Sequence, residues 1–173
     1  MAKKKSKFSL EKLVCAVLAI AGMVATIIGV FGDFLKSKVE ISLFGGTSES
    51  KTLYALKDMA DGELGELEMF DVMNVFAYVV FGAAIASAVF MLITVVVKNS
   101  SVRKFTTLVG ALTVIATVVL FVLILMFCSK NSTEATILGV TGKYTFSMAI
   151  GAILTLIGGV VSGISAVAGT LKK

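Results

Sequence analysis

The densest grouping of reactive side chains in the sequence is a run of carboxylates, Asp58, Asp61, Glu63, Glu66, Glu68 and Asp71. Clustered carboxylates bind hard cations or share acid and base roles. The EF-hand order of alternate acidic ligands, central Gly and terminal Glu is absent, and no spacing pairs two carboxylates in the defined way that glycoside hydrolysis requires. The run therefore reads as a solvated acidic surface suited to a basic partner protein. The chain contains no histidine, which excludes imidazole acid–base catalysis, imidazole metal ligation and a Ser-His-Asp triad. Cys15 and Cys128 are the only cysteines, too few for a four-ligand zinc site, and they read as small apolar helix residues. Acylation of Cys15, near the basic N-terminus, is the alternative. Neither Gly pair leads into the Gly-Lys-Ser/Thr of a phosphate-binding loop. The sequence thus predicts no enzyme, cofactor or metal site. Asn131-Ser132-Thr133 matches the N-glycosylation acceptor pattern.

The elements that carry these residues follow from hydropathy. Of 173 residues, 57% are hydrophobic and the mean hydropathy is +0.99, more apolar surface than a soluble domain of this size can cover. Four uncharged runs occupy residues 13–32, 72–97, 105–128 and 144–171. Each is long enough to cross roughly 30 Å of hydrocarbon as a helix. Ala19-Ile20-Ala21 imitates a signal-peptide cleavage site, but cutting there leaves an apolar new end, so the first run is expected to be a retained helix. The flanks set orientation: residues 1–12, 98–104 and 172–173 carry ten of the 16 Lys and Arg residues, with Glu11 their sole acid. Those flanks are predicted cytoplasmic and residues 33–71 and 129–143 external, with both termini on the cytoplasmic side of the cell membrane. The net charge of +5 is thereby accounted for without a nucleic-acid partner.

The first external connection has structure written into it. Val39, Ile41 and Leu43 alternate with Glu40 and Ser42, a Gly-containing stretch follows, and Thr52, Leu53 and Tyr54 resume a strand composition. That pattern predicts a β-hairpin. A lone hairpin is marginal in water, so residues 135–140 of the second connection are expected to add a strand and make one small sheet.

No ionisable residue lies inside the four runs, which argues against a proton- or ion-coupled path. Small residues line them instead. Gly151, Thr155, Gly158, Ser162, Ser165 and Gly169 recur at helical spacing in the last run, and Thr106, Gly110, Thr113 and Thr117 in the third. Ala19, Gly22, Thr26 and Gly29 do the same in the first. Such stripes let helices approach closely. The use expected of them is the chain's own bundle; the sharper alternative is that Gly159 and Gly163, on a second face, are left free for another subunit.

The fold class is therefore all-α integral membrane, a bundle of four transmembrane helices with a small extracytoplasmic β-hairpin or sheet. This layout of four spans, internal ends and a long first outer loop with strand character resembles the claudin and peripheral-myelin family in topology. The family's Gly-Leu-Trp and paired first-loop cysteines are missing, with Thr52-Leu53-Tyr54 in their place, and no functional residue carries over. The resemblance implies an adhesion, barrier or accessory role. The expected function is that of a non-enzymatic interaction or accessory subunit, with membrane lipid, another membrane or surface protein, or a homo-oligomer as partners. Alternatives are a small oligomeric channel or transporter lined by Ser, Thr and Gly, and a lipid-binding protein.

Overall fold

The computed structural model describes residues 10–43, 46–61, 67, 69–97, 99–137 and 140–171. Four of its helices are long and apolar enough to span a membrane: α1 (Leu10–Phe31), α3 (Phe70–Val96), α4 (Ser100–Lys130) and α5 (Ile150–Leu171). At 1.5 Å per residue even the shorter ones reach about 33 Å. Between α3 and α4 the turn is tight because Asn99 caps α4, its side chain accepting from the Ser101 N–H at 2.8 Å. This satisfies a backbone donor that the first helical turn leaves open.

Four strands gather at one end of the bundle: β1 (Asp33–Leu43), β2 (Gly46–Ala55), β3 (Thr133–Ile137) and β4 (Val140–Met148). All pairings are antiparallel, in the order β2-β1-β4-β3. The expected first-loop hairpin is present as β1–β2. The expected partner strand is not: Thr133–Ile137 lies at the sheet's edge, and β4 is the strand that pairs with β1. Residues 144–148, which hydropathy alone assigns to the last apolar run, are the second half of β4, and α5 begins only at Ile150. Tyr144, Phe146 and Met148 alternate with Thr145 and Ser147, a period of two that suits a strand with one covered face.

A short helix, α2 (Leu56–Ala60), follows β2 and buries Leu56 and Met59. These join Phe34 and Leu35 of β1, Phe70 and Met73 of α3, Ile124 and Phe127 of α4, and Phe146 of β4 in one apolar core between sheet and helix ends. Phe127 stands edge-on to both Phe70 (centroids 6.4 Å) and Phe146 (5.3 Å), the tilted arrangement that aromatic quadrupoles favour. Polar clamps flank the rings. The Ser132 hydroxyl accepts the Phe146 N–H at 3.0 Å and donates to the Cys128 carbonyl at 2.6 Å, and the Ala149 N–H donates to the Phe34 carbonyl at 3.1 Å.

Phe146→Ala removes the ring that ties β4 to α4. A loss of about 3–5 kcal/mol is expected from the cavity and the lost transfer term, read as a lowered unfolding midpoint of the purified protein. Faster amide exchange should appear first in β4.

Candidate interaction faces

Helix α5 is enclosed on two sides. Toward α1, a Cβ built on Gly22 would stand 2.6 Å from both the Gly158 carbonyl oxygen and the Ser162 nitrogen, and one on Gly158 would stand 2.6 Å from the Thr26 nitrogen. Gly151 closes the same seam near the sheet, where a Cβ would meet the Gly29 carbonyl at 2.6 Å. Thr155, Gly158, Ser162 and Gly169 are all buried along α5. Toward α4, Gly163 and Gly110 face each other so closely that a Cβ on either would lie 2.7 Å from the other's carbonyl oxygen. Gly159 adjoins Thr117 of α4 and Val80 of α3. The alternative that leaves Gly159 and Gly163 free for a second subunit does not fit this packing: α4 and α3 already occupy that face, with Gly110 and Thr117 of the third run's stripe turned toward the two glycines and Thr106 and Thr113 turned toward α3.

Hydroxyls run through the same interior. Ser87 and Thr113 meet at 2.8 Å across α3 and α4, as do Thr94 and Thr106, while Thr107 and Thr170 meet at 2.6 Å between α4 and α5. Ser162 donates across to the Ala84 carbonyl at 3.1 Å, and Thr155 donates back along its own helix to the Gly151 carbonyl at 2.9 Å. A hydroxyl in apolar surroundings is costly unless bonded, so these bonds specify which faces meet. The Thr106 and Thr113 stripe is legible in sequence; its partners Ser87 and Thr94 are not, since nothing in the α3 sequence distinguishes a Ser facing a neighbour from one facing outward.

One helical glycine stands apart. A Cβ on Gly82 meets nothing within 4 Å. Elsewhere the helices turn large side chains outward, Val17, Ile28, Leu112, Ile115, Ile157 and Ile164 each being more than half exposed. A shallow groove of about 380 Å³ runs between α4 and α5, walled by Phe121, Leu156, Ile157 and Val160 with Thr117 at its floor. The Thr117 hydroxyl is already committed to the Thr113 carbonyl at 2.7 Å.

The sheet offers a different surface. β2 is exposed from Gly46 to Leu53, and a row of charge crosses all four strands, with Glu49 opposite Glu40, Glu40 opposite Lys143 and Lys143 opposite Glu134. Lys38 separates the two like charges. Its amine is bonded to Glu40 and lies 3.0 Å from Glu49, raising the Lys38 pKa through Glu40 first and Glu49 second; the same amine lowers the Glu40 pKa. On the covered face, Ser37, Tyr54 and Tyr144 bring three hydroxyls together, and burial pushes the Tyr144 phenol up.

Of the acidic run, Asp58 lies in α2, Asp61 just beyond it and Asp71 in the first turn of α3, all three exposed. Glu63, Glu66 and Glu68 lie outside the described residues. Among the described residues, no three His, Cys, Asp or Glu side chains stand together as a metal-binding group. Cys15 and Cys128 are free thiols. The Asn131 amide nitrogen, where a glycan would attach, donates to the Phe127 carbonyl at 3.0 Å in capping α4. No family model matches the chain, and no curated protein matches it.

Two expected outcomes follow from this geometry. Gly158→Ala drives a Cβ into the backbone of α1, which cannot rotate away, and should cost about 1–3 kcal/mol or more. Gly159→Ala should cost less, because the Thr117 and Val80 side chains can shift, and Gly82→Ala should stabilise by about 0.8–1 kcal/mol through helix propensity. Unfolding in a denaturing detergent series checks the ranking. For the charge row, the stability Glu40 adds is present above its unfolded-state pKa and lost as pH falls through its lowered folded-state value. That of Lys38 is complete below the ordinary lysine pKa and lost as pH rises through its raised value. Amide protection in β1 and β2, corrected for intrinsic exchange, should therefore hold across neutral pH and fall at both extremes, with K38Q flattening the profile.

Proposed function

We propose that this chain is a non-enzymatic, multi-pass protein of the cell membrane, with both termini cytoplasmic, whose external sheet makes contacts as an interaction, adhesion or accessory subunit. The observation that carries this reading is a sheet assembled from both connections, footed on an aromatic core, that leaves its charged face and the β2 edge exposed. Ordering such a sheet costs conformational entropy, and a mere linker between spans has no need of it. The belt of exposed Val, Ile and Leu around the helices matches what a bilayer covers, and the basic flanks supply the orientation.

A channel lined by Thr155 and Ser162 draws no support from this arrangement, since both are buried in the chain's own seams with their hydroxyls bonded. The apolar α4–α5 groove keeps lipid binding as a second reading, with an acyl chain as the occupant.

The test is isolation of the tagged full chain from its native cells in mild detergent after brief crosslinking. A co-purifying membrane or surface protein, or a second copy, is expected. Its recovery should drop on reversing the charge row by K143E and E134K while the thermal midpoint is kept. A strict monomer without any companion would sink the proposal. Loss of bound lipid from V160F, with protein contacts unchanged, would favour the groove instead.

A further inference from the structure

Away from the sheet, the first turns of α1 and α4 and the last turn of α5 come together. Arg103 of α4 reaches across to α5, donating from Nη2 to the Thr170 carbonyl at 2.5 Å. Lys12 of α1 flanks α5 from the other side, lining with Glu11, Cys15, Ala168 and Gly169 a cavity of about 120 Å³. Lys104, exposed, follows Arg103 on α4. The same end of the chain's topology carries Lys98 between α3 and α4, Lys172 and Lys173 after α5, and Lys3, Lys4, Lys5 and Lys7 before α1. Two helices begin at this end and two finish there, so their macrodipoles largely cancel. The field is that of the side chains.

We infer that this basic end binds anionic phospholipid headgroups, holding several in the leaflet that faces it. The inference rests on the four-span reading, which sets Lys12 and Lys104 at the level where headgroup phosphates lie. Charge complementarity selects the occupant. Lys12, Arg103 and Lys104 stand at this end, and the sequence flanks that join them carry ten Lys and Arg residues in all against Glu11; basic clusters directly flanking a span are attracted to anionic lipid by roughly 1 kcal/mol per residue near the surface. Arg103 has a structural task as well, capping the carbonyl end of α5. The lysines beside it are compact point charges on flexible stems, able to follow a phosphate. Zwitterionic headgroups present no net charge for this surface to collect.

The experiment uses the full chain reconstituted into vesicles of phosphatidylcholine with a minor fraction of phosphatidylglycerol, floated on a density gradient, then extracted gently with its retained lipid. The retained lipid should be several-fold richer in phosphatidylglycerol than the bulk bilayer, and the enrichment should shrink in high salt, where the screening length falls to about 3 Å. K12Q/K104Q should bring the retained lipid back toward bulk composition, a loss of most of the several-fold enrichment, while K36Q/K51Q on the sheet leaves it unchanged. Retained lipid of bulk composition, or enrichment indifferent to K12Q/K104Q, overturns the inference. Failure of the protein to float overturns the four-span reading beneath it, so the two failures are told apart.

Discussion

Backbone touching backbone, where α1 crosses α5 at Gly22 and Gly158, is the constraint on which the rest depends. No side chain separates the two helices there, and the carbonyl of each lies where a Cβ of the other would be. At that range, dispersion across many atom pairs and the exclusion of any third group do what an apolar seam of Leu and Ile would do less specifically. Rotating α1 by one position brings Ala21 or Met23 into the gap, and turning α5 toward Ile157 brings in a branched chain. The seam therefore fixes rotation as well as proximity.

That fixed rotation dictates the sheet. Only Gly32 separates the end of α1 from β1, and only Ala149 separates β4 from the start of α5. Helices clamped side by side thus deliver β1 and β4 side by side and antiparallel, with the Ala149 N–H already on the Phe34 carbonyl. Gly151 lies at the junction, against both the Gly29 and Asp33 carbonyls. Each central strand then turns back on itself, β1 into β2 and β4 into β3, which gives the order β2-β1-β4-β3 without any crossover. Phe34 and Phe146, next to these junctions, face the helix ends and meet Phe127 and its neighbours.

Much of this was legible in the sequence, and the remainder for physical reasons was not. Four helices, the first-loop hairpin and the inward stripe of α4 follow from hydropathy and spacing. The extent of β4 does not, because a hydropathy window reads Tyr144-Thr145-Phe146-Ser147-Met148 as apolar enough for a helix; the alternation within it was the available signal. Which glycine meets which helix was also hidden. Gly158 and Gly159 are adjacent in sequence and about 100° apart on a helix, yet both prove to be filled sites, one against α1 and the other against α4. A periodic stripe states that a face is smooth. It does not say whether the neighbour belongs to the same chain.

The placing of β4 beside β1 also sets an order of assembly. β1 is made immediately after the first helix, but the strand that covers its free edge comes more than a hundred residues later, directly before the last helix. Until then Leu35 and Phe34 lack Phe146, and the inner edge of β1 has no hydrogen-bonding partner. Such distant pairing is slow to form and leaves unpaired strand exposed in the interval. Closure of the sheet is therefore a late event that reports on the arrival of α5 beside α1, and a chain that misplaces its last helix keeps the inner edge of β1 open.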